Sequence, residues 1–229
     1  MQTSSISPGG IVSIFGTSLG PPLLSSQADD KNVYPTFFGN TTVTINGIPA
    51  PILFNNTAQI NAVVPYAIAG LKTAQVVVSH YGQVSPAFPV SLAETAPAIF
   101  TLTQNGRGQG AILNVGTSVS INGESNPAPK GSIVTFFATG AGLWSQPVQD
   151  GFIPVNVLRP PLVPKAPVSL AIGGQTAQVL YAGAAPFMVS GVLQVNAVVP
   201  PNIGAGAQPV VLTIGANDSA SQNVTIVIR

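Results

Sequence analysis

The chain carries one sequence pattern twice, in the same order. Residues 59–65 read QINAVVP and residues 194–200 read QVNAVVP, so these two segments differ at a single position. Two further pairs of segments repeat around them: residues 11–15 (IVSIF) with 133–137 (IVTFF), and residues 43–47 (VTING) with 170–174 (LAIGG). A period of more than about a hundred residues is too long for a solenoid unit and suits one whole domain. The 229-residue chain is therefore predicted to hold two related domains, residues 1–97 and residues 98–229.

Apolar residues alternate with other residues through most of both copies, as in residues 60–64 and 224–228. This period of two, rich in β-branched residues and bounded by Gly, Pro and Asn, is typical of β-strands. Short strands separated by such turns predict β-sandwiches. The predicted fold class is all-β, with two tandem immunoglobulin-like β-sandwiches, and the second domain begins with a hairpin.

The predicted elements occupy matching places in the two copies. Asn46-Gly47 and Gly173-Gly174 are predicted to form tight hairpin turns, which need positive φ. Residues 20–37 and 158–167 are predicted long loops, and residues 96–98 a stiff junction. Strands are predicted near residues 10–15, 41–46, 50–54, 58–64, 73–79 and 87–93, then near 132–138, 168–172, 176–182, 192–198, 208–214 and 222–228, after a hairpin formed by 110–114 and 118–121.

Composition limits the possible partners. Charged residues make up 6% of the chain and the net charge is +1, so no electrostatic argument supports binding to nucleic acid. Proline and glycine interrupt every long apolar segment, which excludes a membrane-spanning helix of about 20 residues. The chain has no cysteine for disulfides or thiolate metal sites. The N-terminus lacks the basic and apolar regions of a signal peptide, and we expect an extracellular or cell-surface protein whose leader lies outside this sequence.

A set of short motifs appears in a fixed order along the chain. Residues 8–20 combine a Pro-Gly pair, a hydrophobic strand and the segment GTSLG, and residues 43–50 (VTINGIPA) and Val64-Pro65 follow. This order resembles the IPT/TIG group of immunoglobulin-like domains. The wider set is similar to an uncharacterised C-terminal module of large secreted proteins of Acidobacteria. That resemblance implies a location at the end of an exported surface protein, and it implies no catalytic residue. Its motifs are residues 59–65, APAIF (96–100), GQGA (108–111), NPA (126–128), ATGAG (138–142) and YAG (181–183).

Groups that could perform chemistry are few. The single histidine, His80, is predicted to face solvent in a hairpin turn, and no nucleophile-elbow motif accompanies it. Asp29 and Asp30 could offer carboxylates to Ca²⁺, but no spaced series of acidic residues follows them. We therefore predict that the protein is not an enzyme and has no catalytic, metal or cofactor site.

Two features remain candidates for structural or binding roles. Gln59 and Asn61 share one strand face in the first copy, and Gln194 and Asn196 share the matching face in the second. We predict that these amides bond to the backbone of the long loops, with ligand binding as the alternative. Trp144 could form an aromatic platform for a sugar ring, or it could pack at a domain edge.

The function predicted from these features is structural. We expect a non-enzymatic subunit of a cell-surface filament or stalk, whose partner is another copy of itself or a neighbouring domain. The stretch Gln2, Thr3, Ser4, Ser5 and Ile6 is predicted to be free and to add as a strand to a neighbouring sheet edge. Such head-to-tail addition does not close on itself, so it makes fibres. The alternative function is a carbohydrate- or protein-binding module attached to a secreted enzyme.

Overall fold

The computed structural model describes residues 5–22, 24–155 and 161–229, and these residues form an all-β fold as predicted. We call residues 5–97 the first half and residues 98–229 the second half. Two short 3-10 turns, Tyr66–Ile68 and Ala220–Gln222, interrupt the strands. The strands of the first half are β1 (Ile11–Phe15), β2 (Leu24–Ser25), β3 (Phe37–Phe38), β4 (Thr41–Ile45), β5 (Ile48–Pro49), β6 (Ile52–Asn55), β7 (Gln59–Val63), β8 (Thr73–His80), β9 (Gln83–Val84) and β10 (Phe88–Ser91). Those of the second half are β11 (Ala98–Ile99), β12 (Gly108–Gln109), β13 (Ile112–Val115), β14 (Val119–Ile121), β15 (Ile133–Thr139), β16 (Val168–Ile172), β17 (Gln175–Ala184), β18 (Leu193–Val198), β19 (Gly206–Ile214), β20 (Asn217–Asp218) and β21 (Val224–Ile228).

The first half contains two sheets that share one core. One sheet has the order β1-β7-β6-β2, and the other has the order β10-β8-β4-β3, with β5 added to β4 and β9 to β8. Ile52 and Ile60 from the first sheet and Val43 and Ile45 from the second are fully buried in the same apolar cluster. Because alternate residues of each strand point the same way, each sheet turns one apolar face inward.

In the second half a single sheet path wraps around the core. The order is β12-β21-β19-β16-β17-β18-β15-β13-β14, with β11 added to β15 and β20 to β19. Strand β17 pairs with β16 through its first residues and with β18 through its last, with a bulge between Val179 and Tyr181. The long strand therefore passes from one layer to the other. Phe136, Leu193, Leu212 and Ile226, from both layers, meet in one buried cluster.

Proline explains why the first half has two separate sheets where the second half has one. The stretch that corresponds to β17 is divided into β5 and β6 by Ala50 and Pro51. Proline has no N–H to donate and fixes its own φ, so it removes a hydrogen bond from the ladder at this point. The same sequence pattern thus closes the two halves differently.

All twelve strands predicted for the two copies are present, with ends shifted by at most two residues. Asn46, Gly47, Gly173 and Gly174 have positive φ, as the predicted hairpin turns require. The predicted hairpin before β15 exists as β13 and β14. The predicted loop 20–37 also contains β2, which pairs with β6. Part of the predicted loop 158–167 lies outside the described residues.

No helix in the described part of the chain has the length and apolarity that crossing a bilayer would require.

Candidate functional site

Tyr66 links the two halves of the molecule. It follows the last residues of β7 and begins the first 3-10 turn. Its hydroxyl accepts a hydrogen bond from Trp144 Nε1 at 2.7 Å and donates to the carbonyl of Ser190 at 3.3 Å. Its backbone N–H donates to the carboxylate of Asp150 at 2.8 Å. One residue of the first half is therefore held by three residues of the second.

Burial at this junction changes two proton affinities. Burial raises the pKa of Tyr66 to about 12, although the hydrogen bonds with Ser190 and Trp144 oppose the shift. The phenol therefore keeps its proton, and its role as a donor, through the neutral range. Partial burial also raises the pKa of Asp150 above its ordinary value, against the lowering effect of the Tyr66 N–H.

Glycines allow the backbones of the two halves to approach closely. A Cβ at Gly140 would lie 1.8 Å from the carbonyl oxygen of Ala96, and one at Gly142 would lie 2.2 Å from that of Glu94. Both glycines also have positive φ, which residues with a side chain rarely adopt. The ATGAG motif at 138–142 therefore lets the connecting segment lie close beside the end of β15, and the Ala96 N–H donates to the Gly140 carbonyl at 2.8 Å.

An apolar cluster completes the junction. Val63 of the first half is fully buried with Val189 and Val192 of the second, and Ile11 and Leu53 pack against them. Backbone contacts lie beside this cluster: Val33 pairs with Phe152, and the Tyr34 N–H donates to the Gly151 carbonyl at 3.0 Å. Inter-domain motion is the default unless the interface is large and hydrophobic. These contacts give the chain an apolar, hydrogen-bonded junction.

Trp144 lies at this junction and is only 6% exposed. Its indole N–H is used by Tyr66, and its backbone pairs with Pro164. The ring therefore does not offer a face on which a sugar could stack. Its position agrees with the alternative expectation, that Trp144 packs at a domain edge. Tyr66 was not identified from the sequence, since tyrosine follows Pro65 in one copy whereas proline follows Pro200 in the other.

The repeated amides form the same arrangement in both halves. Gln59 Nε2 donates to Asn61 Oδ1 at 2.7 Å, and Ser13 Oγ donates to the same oxygen at 2.9 Å. In the second half, Gln194 Nε2 and Thr135 Oγ1 each donate to Asn196 Oδ1 at 3.0 Å. The prediction that the amides bond to loop backbone is therefore wrong for these contacts. The partners are each other and a hydroxyl on the adjacent strand, because Ser13 lies opposite Asn61 and Thr135 opposite Asn196.

The N-terminal stretch is only partly described. Gln2, Thr3 and Ser4 lie outside the described residues. Ile6 forms a parallel bridge with Leu92, its N–H donates to the Ser91 carbonyl at 2.9 Å, and its side chain packs on the first core. Ile6 is therefore not free, because the edge of its own sheet beside β10 already holds it.

The equivalent strands β1 and β15 differ in what covers their outer edges. Among the described residues, β7 is the only strand that pairs with β1, which ends its sheet. β15 pairs with β18 on one side and with β11 and β13 on the other. The core-facing Val134 and Phe136 of β15 are fully buried, whereas Val12 and Ile14 of β1 are only half-buried.

The polar groups considered for chemistry have structural partners. His80 ends β8, and the turn lies directly after it at Tyr81 and Gly82. Its Nδ1 lies 2.8 Å from the Thr41 hydroxyl. Asp29 accepts hydrogen bonds from the backbone N–H groups of Lys31 and Val33, so it shapes its own loop. Within the described residues, no three His, Cys, Asp or Glu side chains are grouped to hold a metal ion.

Comparisons with known proteins give little guidance. No protein-family model matches the sequence, and no curated protein matches it. Among solved structures, the chain is similar to SGBP-B of the Bacteroides ovatus mixed-linkage glucan utilization locus, solved in complex with a mixed-linkage heptasaccharide. The identity is 14% and the TM-score is 0.38. The match covers 100% of this chain and 44% of that one, so this chain spans less than half of its length. A likeness this loose carries no functional argument.

Proposed function

We propose that this chain is a non-enzymatic structural subunit of an extracellular bacterial assembly, and that copies of it associate through the edges of their sheets. The observation that carries the proposal is the junction between the halves, where Tyr66, Trp144 and Ser190 are bonded beside a buried apolar cluster. A subunit whose parts are already fixed loses less conformational freedom each time a copy is added.

The surface composition supports the same proposal. With 6% charged residues and a net charge of +1, copies of the chain repel one another weakly. Open sheet edges normally carry lysine, proline or bulges that prevent pairing with other chains. β1, with the sequence IVSIF, carries neither lysine nor proline although it ends its sheet.

Light scattering over a wide concentration range, combined with negative-stain electron microscopy, tests this function. We expect the mean particle mass to rise with concentration and to reach regular elongated particles. Because the surface is nearly uncharged, added salt should not dissolve them. A monomer of constant mass at every concentration would contradict the proposal, and glycan screening of that monomer would then test the binding-module alternative.

A further inference from the structure

We propose that β14 of one copy adds antiparallel to the open edge of β1 in the next copy, with Phe15 opposite Val119 and Ser13 opposite Ile121. This inference rests on the proposed function, since it names the surface through which the copies associate. Within the described residues, the two halves of the chain show the same strand once with its outer edge covered, as β15, and once with it uncovered, as β1.

The second half shows what covers such an edge. β13 runs antiparallel beside β15, with Leu113 opposite Thr135 and Val115 opposite Ile133. The segment IVTFF of β15 repeats the segment IVSIF of β1. At the third position of this segment, Thr135 is buried whereas Ser13 is exposed. An added strand at β1 would therefore occupy a position that is already filled in the other copy of the pattern.

Hydrogen-bond directions define which groups of β1 face outward. The Val64 N–H donates to the Gly10 carbonyl, and the Gly16 N–H donates to the Ala58 carbonyl, so even-numbered positions of this strand bond to β7. Odd-numbered positions must point to the other side, because the two directions alternate along an antiparallel strand. Ile11 confirms this, since its N–H donates to Thr139 Oγ1. The backbone groups of Ser13 and Phe15 therefore face the open edge.

β14 presents a matching edge at the other end of the second sheet. The Asn122 N–H donates to the Ile112 carbonyl, so Asn122 bonds toward β13 and Ile121 toward the outside. The side-chain amide of Asn126 donates to the Ile121 carbonyl at 2.8 Å, which confirms that direction. A carbonyl oxygen has two lone pairs, so a second bond remains available to it. Val119 and Ile121 thus present outward groups two residues apart, as Ser13 and Phe15 do.

The side chains agree with the register that these hydrogen bonds set. Phe15 is 69% exposed, Val119 63% and Ile121 59%. Phe15 and Ser13 lie on the face of Asn61, outside the core, and Val119 and Ile121 pair with the outward Val115 and Leu113. Side chains opposite each other in a ladder share one face and contact each other. In this register the side chains of Phe15 and Val119 would pack against each other, and both would become less exposed to water.

The two edges differ from each other, so their pairing is head-to-tail, and it forms an open chain unless the rotation between copies closes a ring. Each copy carries one β1 edge and one β14 edge, and a contact between unlike surfaces continues from copy to copy. No residue of β1 or β14 is charged, so no like charges meet across the contact. The assembly that follows is a head-to-tail series of copies joined by antiparallel strand pairs.

Cysteine crosslinking of the full chain tests this register directly, because the sequence contains no cysteine. Residues opposite each other in an antiparallel ladder have Cα atoms about 4.5–5.5 Å apart, within the range that a disulfide accepts. The double variant Phe15→Cys/Val119→Cys, oxidised with diamide, should give a ladder of dimers, trimers and larger species on a non-reducing gel. The control Phe15→Cys/Ser120→Cys should not, since Ser120 faces the opposite side of the strand.

Two further variants separate this contact from chance collisions and from misfolding. Ser13→Pro removes an outward N–H of β1, and we expect it to abolish the ladder when added to the first double variant. Ser13→Ala keeps that N–H and should leave the ladder intact. Equal ladders in both cysteine pairs, or a ladder that survives Ser13→Pro in a folded protein, would overturn the register. Self-association by light scattering without a ladder would overturn this contact and leave the proposed function standing, whereas a constant monomer mass would contradict that function.

Discussion

Tyr66 contacts the second half of the molecule through both its backbone and its side chain. Its backbone and its hydroxyl serve different partners, Asp150 on one side and Trp144 with Ser190 on the other. Because Trp144 is buried, its indole N–H cannot hydrogen-bond to water if the Tyr66 hydroxyl is removed. Substitutions at this residue therefore report on the junction.

Tyr66→Phe should lower the free energy of unfolding by about 1–3 kcal/mol, since it leaves the buried Trp144 N–H without its acceptor. Urea unfolding followed by the fluorescence of Trp144, the single tryptophan, measures the change. Tyr81→Phe serves as the control, because Tyr81 is largely exposed. Equal stability of the two variants would show that the hydroxyl contributes nothing.

Gly9 provides a second test of the position of Tyr66, because it lies against the Tyr66 ring within the first half. A Cβ at Gly9 would lie 2.3 Å from the ring of Tyr66, whereas one at Gly131 would have nothing within 4 Å, and both glycines have φ near +70°. Gly9→Ala and Gly131→Ala should each lose about 1 kcal/mol to backbone strain. Only Gly9→Ala should also displace Tyr66, lower stability further and shift Trp144 emission. An equal loss of stability in the two variants, measured by thermal unfolding, would contradict the close approach of Gly9 to the Tyr66 ring.

At the scale of elements, the amide and hydroxyl groups tie neighbouring strands together on their outer faces. Gln194 and Thr135 both donate to Asn196 Oδ1, and Gln59 and Ser13 do the same for Asn61. The two arrangements differ in burial, because Thr135 is buried and Ser13 is exposed. Water can replace the serine hydroxyl, but it cannot easily reach the threonine site.

Thr135→Val should therefore cost about 1 kcal/mol of unfolding free energy, since it keeps the side-chain shape and removes one buried hydrogen bond. Ser13→Ala should cost clearly less. Urea denaturation of the two variants, compared at unchanged m-value, checks the order. The reverse order would mean that burial does not govern these contacts.

The strands were predictable because alternation and turn residues are local properties of the sequence. Asn46-Gly47 and Gly173-Gly174 indicated two hairpins, because tight hairpin turns require positive φ and these residues adopt it readily. The hydroxyl partners of the amides were also within reach, since the repeated segments place Ser13 and Thr135 at the same position. These hydroxyl partners were missed because the sequence of one strand does not show which residue of the neighbouring strand lies opposite it.

The junction was not predictable for a related reason. Tyr66 and Trp144 are far apart in sequence, and no motif joins them. The glycines of ATGAG were visible, but what approaches Gly140, the carbonyl of Ala96, depends on where the connecting segment passes. Trp144 is buried in the core cluster of the second half, and its neighbours in the sequence do not show which residues pack around it.

At the scale of the whole molecule, Asp150 couples the junction to pH. Its folded-state pKa is raised above the ordinary value of 3.8 because partial burial disfavours the charged form. The folded protein therefore holds this proton more tightly than the unfolded chain does. The contribution of Asp150 to stability is greatest in acid and falls as the pH rises from about 3.8 through the raised pKa.

Asp150→Asn should remove this dependence, because the amide is uncharged and still offers an oxygen to the Tyr66 N–H. Unfolding free energies of the wild type and the variant, measured from pH 3.5 to 7, should diverge as the pH rises, with the wild type losing stability relative to the variant. A difference that changes in the opposite direction would mean that the carboxylate is stabilised, and not desolvated, at the junction.

The parallel bridges at the edges of both halves affect how the fold resists a mechanical force applied along the chain. Ile6 runs parallel to Leu92, and Ala128 runs parallel to Ile228. When the start of one strand and the end of its parallel neighbour are drawn apart, the two slide lengthwise past each other, and their hydrogen bonds are strained at the same moment instead of opening one after another. Pulling on the chain at Ile6 and at Leu92 would therefore load the hydrogen bonds of this bridge in shear and all at once.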